Sequence, residues 1–165
     1  MFEILKQYQI ISTGLLGFIG VIATIAANGY WARKQRISEI ENRAKSIRSA
    51  LKAELEINKS TFEARVESLE SSTSPNSRVP IRTYLDVYHS ALSDIGILGS
   101  KEVKSIVNAY LLIEELPTYM EFHANDRDGK ALVIPQKNRR AVADLHSGRL
   151  AAIDKAITTL SDQDA

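Results

Sequence analysis

The 165-residue chain has no cysteine, which excludes a disulfide scaffold, a thiolate metal site and a cysteine nucleophile. No charge sign dominates. Lys plus Arg number 21 and Asp plus Glu 20, which argues against a uniformly basic nucleic-acid binder. With 44% apolar residues the chain is not an acidic disordered tail either. Catalytic signatures are equally scarce. There is no phosphate-cradling Gly-rich loop ending in Gly-Lys-Ser/Thr, no zinc helix of the His-Glu-x-x-His type and no Gly-x-Ser-x-Gly elbow. His89, His123 and His146 are scattered without metal-ligand spacing. Asp126-Arg127-Asp128-Gly129 has the middle of a calcium loop, but that register puts Ala124 and Pro135 at ligand positions. Ser49 and Lys52 match the Ser-x-x-Lys spacing on a basic helix with no companion motif. Neither a metal nor a cofactor is expected.

What the chain does have is one long run without charge. Residues 7–32 are 26 consecutive uncharged positions rich in Ile, Leu, Gly, Ala and Val. About 20 helical residues cross a hydrocarbon layer of roughly 30 Å, and residues 10–29 supply them. Phe2 and Tyr8 flank one end, Tyr30 and Trp31 the other, where amphipathic rings suit both membrane interfaces. Arg33, Lys34, Arg36, Arg43, Lys45, Arg48 and Lys52 follow at once, whereas only Lys6 and the terminal amine precede. Cations directly behind the run oppose signal-peptide cleavage and favour a retained span. By the positive-inside rule the expected topology is N-terminus out and C-terminus cytoplasmic, as for a single-span protein of a bacterial inner (cytoplasmic) membrane. Segment 33–52 carries seven cations and two acids. Beyond it stand 13 cations and 17 acids, so the basic stretch serves topology and touches anionic headgroups. Within the span, Thr13, Gly17, Gly20, Thr24 and Ala27 recur at steps of 4, 3, 4 and 3. They form one stripe of small residues suited to close helix–helix packing in a homo-oligomer.

Behind the span the helical pattern continues. Ile37, Ile40, Ala44, Ile47, Leu51, Leu55, Asn58, Phe62, Val66 and Leu69 keep an 11-residue repeat from Ala44 onward, close to a straight helix's own period. This predicts a long helix over 33–70, then a Ser-rich loop over 71–79. Tyr84, Leu85, Tyr88, Ala91, Leu92 and Ile95 predict a helix over about 80–95, with Pro80 in its first turn. Val103, Ile106, Val107, Tyr110, Leu111 and Glu114 mark a third over 101–123, with Ser100 as N-cap and Pro117 kinking or ending it. Pro135 opens a last helix over 135–160, whose inner face carries Val142, Leu145, Arg149, Ile153, Ala156 and Leu160. The only competing strand signal is Ala131-Leu132-Val133-Ile134. The fold class is all-α: a membrane anchor over 1–32 and a cytoplasmic helical bundle over 33–165.

Two resemblances bear on function. The stretch Asn138-Arg139-Arg140-Ala141-Val142-Ala143-Asp144-Leu145-His146 resembles the Arg-x4–6-His motif of HEPN-family ribonucleases, with five residues between Arg140 and His146. That resemblance implies an all-helical dimer in which Arg140 holds a scissile phosphate and His146 transfers a proton. The family includes single-span accessory proteins of RNA-targeting CRISPR systems with a similar layout. Ala141 stands where that family carries a polar residue, and Arg82 with His89 satisfies the same loose spacing. The chain also resembles small bacterial single-span proteins of unknown function that carry a Leu-x-Ala-Glu-Leu-x-x-Asn segment, here Leu51 to Asn58. In those proteins a later segment like Ile95-Gly96-Ile97-Leu98 precedes a Tyr-containing helix, here with Tyr110. The function that fits these features is a membrane-anchored oligomerisation and partner-binding module without a catalytic site of its own. Its partners would be the bilayer, further copies of itself and another protein. The alternatives are a HEPN-like RNA-binding or RNA-cleaving accessory protein and an oligomeric pore-forming effector.

Overall fold

The computed structural model describes the backbone of residues 2–162 and the side chains of Phe18 and residues 20–162. Among the described residues the chain is mostly helical, with four helices. Two compact units divide it, Met1–Arg43 and Ala44–Ala165. The first helix, α1 (Phe2–Ser71), passes through the end of the first unit into the second. It contains no proline. It stops where Ser71-Ser72-Thr73-Ser74 competes for the backbone and Pro75 disfavours helical geometry before it.

In the first unit all described side chains are exposed, including Ile37 and Ile40, which the apolar repeat had placed in the core. Among the described residues no helix is long and apolar enough to cross a membrane. Side chains 7–17 and Ile19 of the uncharged run lie outside those residues, as do those of Tyr8, Thr13 and Gly17.

The second unit holds the core. From α1 it takes Ala44, Leu51, Leu55, Asn58, Phe62 and Leu69, the 11-residue stripe from Ala44 onward, with Ile47 and Val66 half-buried beside it. From α3 (Ser100–Glu121) it takes Ile106, Ala109, Tyr110, Ile113, Leu116 and Met120. This face is turned from the expected one: Leu111 and Glu114 point to water, while Ala109, Ile113 and Leu116 are sealed. Pro117 does not end the helix, which runs one further turn to Glu121. Gly99, not Ser100, caps α3: its N–H donates to Glu102 Oε2 at 2.7 Å, and its carbonyl accepts from Val103 N. The carboxylate of Glu102 also takes a two-pronged bond from Arg48 of α1, at 2.6 and 3.1 Å. Arg48 and the Gly99 N–H hold the buried Glu102 below the ordinary carboxylate range against the opposing effect of burial.

A small antiparallel sheet departs from the expected elements. Strand β1 (Asn76–Pro80) lies in the expected loop. Strands β2 (Asp126–Asp128) and β3 (Ala131–Pro135) form a hairpin, and the sheet order is β1-β3-β2. Gly129 has φ +61°, and with Lys130 it makes the two-residue turn between Asp128 and Ala131, where a side chain would be strained. On β3, Leu132 and Ile134 point into the core with the two-residue period of a strand, and Val79 of β1 joins them. Pro135 ends β3, and a single turn, Gln136–Asn138, leads into α4 (Arg139–Ser161). Instead of a helix over about 80–95, residues 81–85 are non-helical. Helix α2 covers only Asp86–Ala91, followed by one turn at Ile95–Ile97.

Candidate functional site

The structure does not bring Arg140 and His146 together. Arg140 is exposed, whereas His146 lies on the inner face of α4 with no exposed surface. The His146 Nδ1 is 2.8 Å from the Val142 carbonyl, one turn back, and therefore carries the proton. Its ring meets Phe62 edge-on, with centroids 5.3 Å apart, and Nε2 has no hydrogen-bond partner among the described residues. Burial pushes the imidazole down to about 4, with Arg65 and Arg149 adding to the effect and the Val142 bond opposing it. A neutral, sealed ring is out of reach of a phosphodiester.

Arg139, like His146, is buried. Arg139 Nη1 donates to the Ser72 carbonyl. Arg149 donates to the carbonyls of Leu112 (2.7 Å) and Leu145 (2.6 Å) and lies over the Tyr119 ring. The signal was present. Seven of the eight buried positions of α4 (139, 142, 146, 149, 153, 156 and 160) keep a strict 3-4 repeat, with Ala143 the eighth, and Leu145, placed inside by its hydrophobicity, is only half-buried beside it.

The Leu51 to Asn58 segment proves to be a buried polar clamp. Both carboxylate oxygens of Glu54 accept backbone N–H bonds, from Val87 at 2.8 Å and Tyr88 at 3.0 Å. Tyr110 Oη also donates to Glu54 Oε2 at 2.8 Å. One turn on, Asn58 pairs with both backbone groups of Tyr84, accepting from its N–H at 3.0 Å and donating to its carbonyl at 2.7 Å. Burial, then the bond to Glu54, pushes the Tyr110 phenol well above its ordinary value. The Tyr88 and Tyr110 rings stack with centroids 4.1 Å apart. The clamp is positional: the Glu54 carboxylate, the Asn58 carboxamide and the Tyr110 hydroxyl each bond other atoms of this chain.

An open groove of about 820 Å³ lies between the last turns of α1 and strand β1 with the non-helical residues after it. Its walls carry the guanidinium groups of Arg65, Arg78 and Arg82, several Ser and Thr hydroxyls, and the Tyr84 ring; no carboxylate lines it. Arg65 Nη2 donates to the Arg82 carbonyl at 2.7 Å, while its Nη1 is buried without an acceptor among the described residues. Burial lowers Arg65, and no carboxylate opposes the effect. The Arg82 guanidinium lies 4.9 Å from the Tyr84 ring centre. Sequence reasoning missed this groove because its walls come from segments that meet only in the fold.

In the first unit, Tyr30, Trp31, Arg33, Lys34 and Arg36 are exposed, with Lys34 Nζ 5.6 Å from the Trp31 ring centre. Of the small-residue stripe, Gly20, Thr24 and Ala27 are described and exposed. The Thr24 hydroxyl donates to the Gly20 carbonyl at 2.8 Å. Among the described residues no three His, Asp or Glu side chains gather at metal-binding distance. Comparison with protein families, with characterised proteins and with solved structures finds no significant match to this chain.

Proposed function

We propose that the protein is a single-span membrane-anchored module that self-associates through its span and presents a helical head for binding on the cytoplasmic side. The observation that carries this reading is the 26-residue uncharged run closed by seven cations within the next 20 residues. Exposure in the first unit supports it. Phe18, Val21, Ile22 and Ile25 share one exposed helix face, opposite Gly20, Thr24 and Ala27. Removing each bulky side chain from water is worth roughly 1.5–3 kcal/mol, which favours lipid on one face and close helix packing on the other. Thr24 meets its hydroxyl requirement within its own helix, as an apolar medium demands. The HEPN-like reading needs Arg140 and His146 on one accessible face, and no observation favours it; nor does the span carry a charge to line a pore.

The test is alkaline extraction of membranes, followed by a neighbour-reporting assay of the span. The protein should stay in the membrane pellet. Gly20→Leu should weaken association by separating the backbones, while Ile22→Leu on the opposite face should not. Release into the supernatant removes the anchor, and equal behaviour of the two variants removes the seam.

A further inference from the structure

The groove beside β1 has a chemistry that neither the anchor nor the core requires. Beyond residue 52 the chain carries 13 cations and 17 acids, yet this groove gathers three arginines and no acid. Its arginines come from three places: Arg65 on α1, Arg78 on β1 and Arg82 in the non-helical stretch that follows. Arg65 is half-buried: Nη1 is sealed from solvent beside the Phe62 ring, and Nη2, on the Arg82 carbonyl, is the donor nearer the groove. Arg78 spends Nη2 on Asp128, at 2.6 Å between two exposed side chains. Arg82 stacks over Tyr84 and offers a flat cationic platform.

We propose that this groove binds a soluble phosphate ester with a planar ring, of nucleotide size. A terminal phosphate brings close to two negative charges and three strong acceptors, the complement of two or more guanidinium forks. A planar base stacks on an Arg–Tyr pair, and the groove volume lies within the range of small-molecule sites. Arg65 and Arg78 take the phosphate oxygens, Ser68 and Ser72 add hydroxyl donors, and Arg82 with Tyr84 takes the ring. An anionic lipid headgroup shares the phosphate but brings no ring for the platform. The inference rests on the head being a binding module and is independent of the anchor, which fractionation tests separately.

The experiment is calorimetric titration of the full chain in neutral detergent micelles with ATP, adenosine and inorganic phosphate, beside flotation with phosphatidylglycerol vesicles. ATP should bind at one per chain. Inorganic phosphate should compete with it and adenosine should not. Arg65→Gln and Arg82→Gln should each weaken binding at least tenfold. Asp128→Asn, which releases Arg78, should tighten it a few-fold. Arg82 is exposed, its guanidinium lies over the Tyr84 ring and the bond it takes from Arg65 is to its backbone carbonyl, so its variant keeps the test decisive should Arg65→Gln fail to fold. No heat with millimolar ATP, or ATP binding unchanged in Arg82→Gln, overturns the proposal. So does Arg82-dependent vesicle binding without ATP binding, which would assign the groove to lipid.

Discussion

Replacing Asn58 with leucine preserves its approximate size and places an apolar group in a fully buried site, yet it should be among the costlier changes in the core. The reason lies in the partner. The Tyr84 backbone has both its N–H and its carbonyl satisfied by the one carboxamide, at 3.0 and 2.7 Å. Leucine leaves both facing a side chain that neither donates nor accepts. Each stranded backbone group costs about 1–3 kcal/mol, and Tyr84 is only half-buried, so the lower part of the range applies and the pair costs about 3 kcal/mol. The third bond, from Asn58 Nδ2 to the Glu54 carbonyl, adds little, because that carbonyl lies inside α1. A loss of about 3 kcal/mol lowers the melting temperature of a unit this size by about 10 °C. The assay is thermal unfolding in micelles followed by near-ultraviolet circular dichroism, which reports the packing of Tyr84, Tyr88 and Tyr110. An Asn58→Leu protein that melts within about 2 °C of the parent would refute the clamp.

Further outcomes follow from α4. The folded His146 takes up its proton near pH 4 and the unfolded residue near 6.5, so the unfolded chain binds the proton first as the pH falls. Its contribution is complete above about pH 6.5 and is lost progressively down to about pH 4; at 1.36 kcal/mol per pH unit this is about 3 kcal/mol. Melting temperature measured from pH 7 to 4.5 should therefore fall with acid. His146→Gln should flatten the slope, and an unchanged slope would place the titration elsewhere. Val142 has no exposed surface and Leu145 is half-buried, so Val142→Asp should abolish cooperative unfolding while Leu145→Asp leaves a folded but weakened protein. Equal effects on the circular dichroism melts would show that the inner face of α4 is misassigned.

Helix periodicity made much of the core legible. The α1 stripe from Ala44 to Leu69 and the α4 positions Val142, Arg149, Ile153, Ala156 and Leu160 could be read because 3- and 4-residue steps map directly onto one helix face. What escaped was non-local. In Asn76-Ser77-Arg78-Val79-Pro80 the inward positions are Ser77 and Val79, one polar and one apolar, so the sequence shows no apolar alternation; it is a strand only because β3, more than 50 residues later, supplies its partner. Residues 81–85 have a helical spacing of apolar groups, but Asn58 takes both Tyr84 backbone groups, the stretch is non-helical, and α2 has only six residues. Leu51 to Asn58 was legible as a motif and not as a clamp, since Glu54 meets Val87, Tyr88 and Tyr110 through the fold alone. The three groove arginines looked like ordinary surface charge for the same reason.

Membrane attachment with a cytoplasmic head is the central claim of the proposed function. The absence of native cysteine makes single-cysteine labelling direct. Gly148→Cys is well suited, because a Cβ there meets no atom within 4 Å, and Glu3→Cys reports the other end of the run. In intact spheroplasts a membrane-impermeant maleimide should label Glu3→Cys at once, and Gly148→Cys only after permeabilisation, with both proteins in the membrane pellet. Labelling of Gly148→Cys in intact spheroplasts, or recovery of the protein in the soluble fraction, would contradict the account.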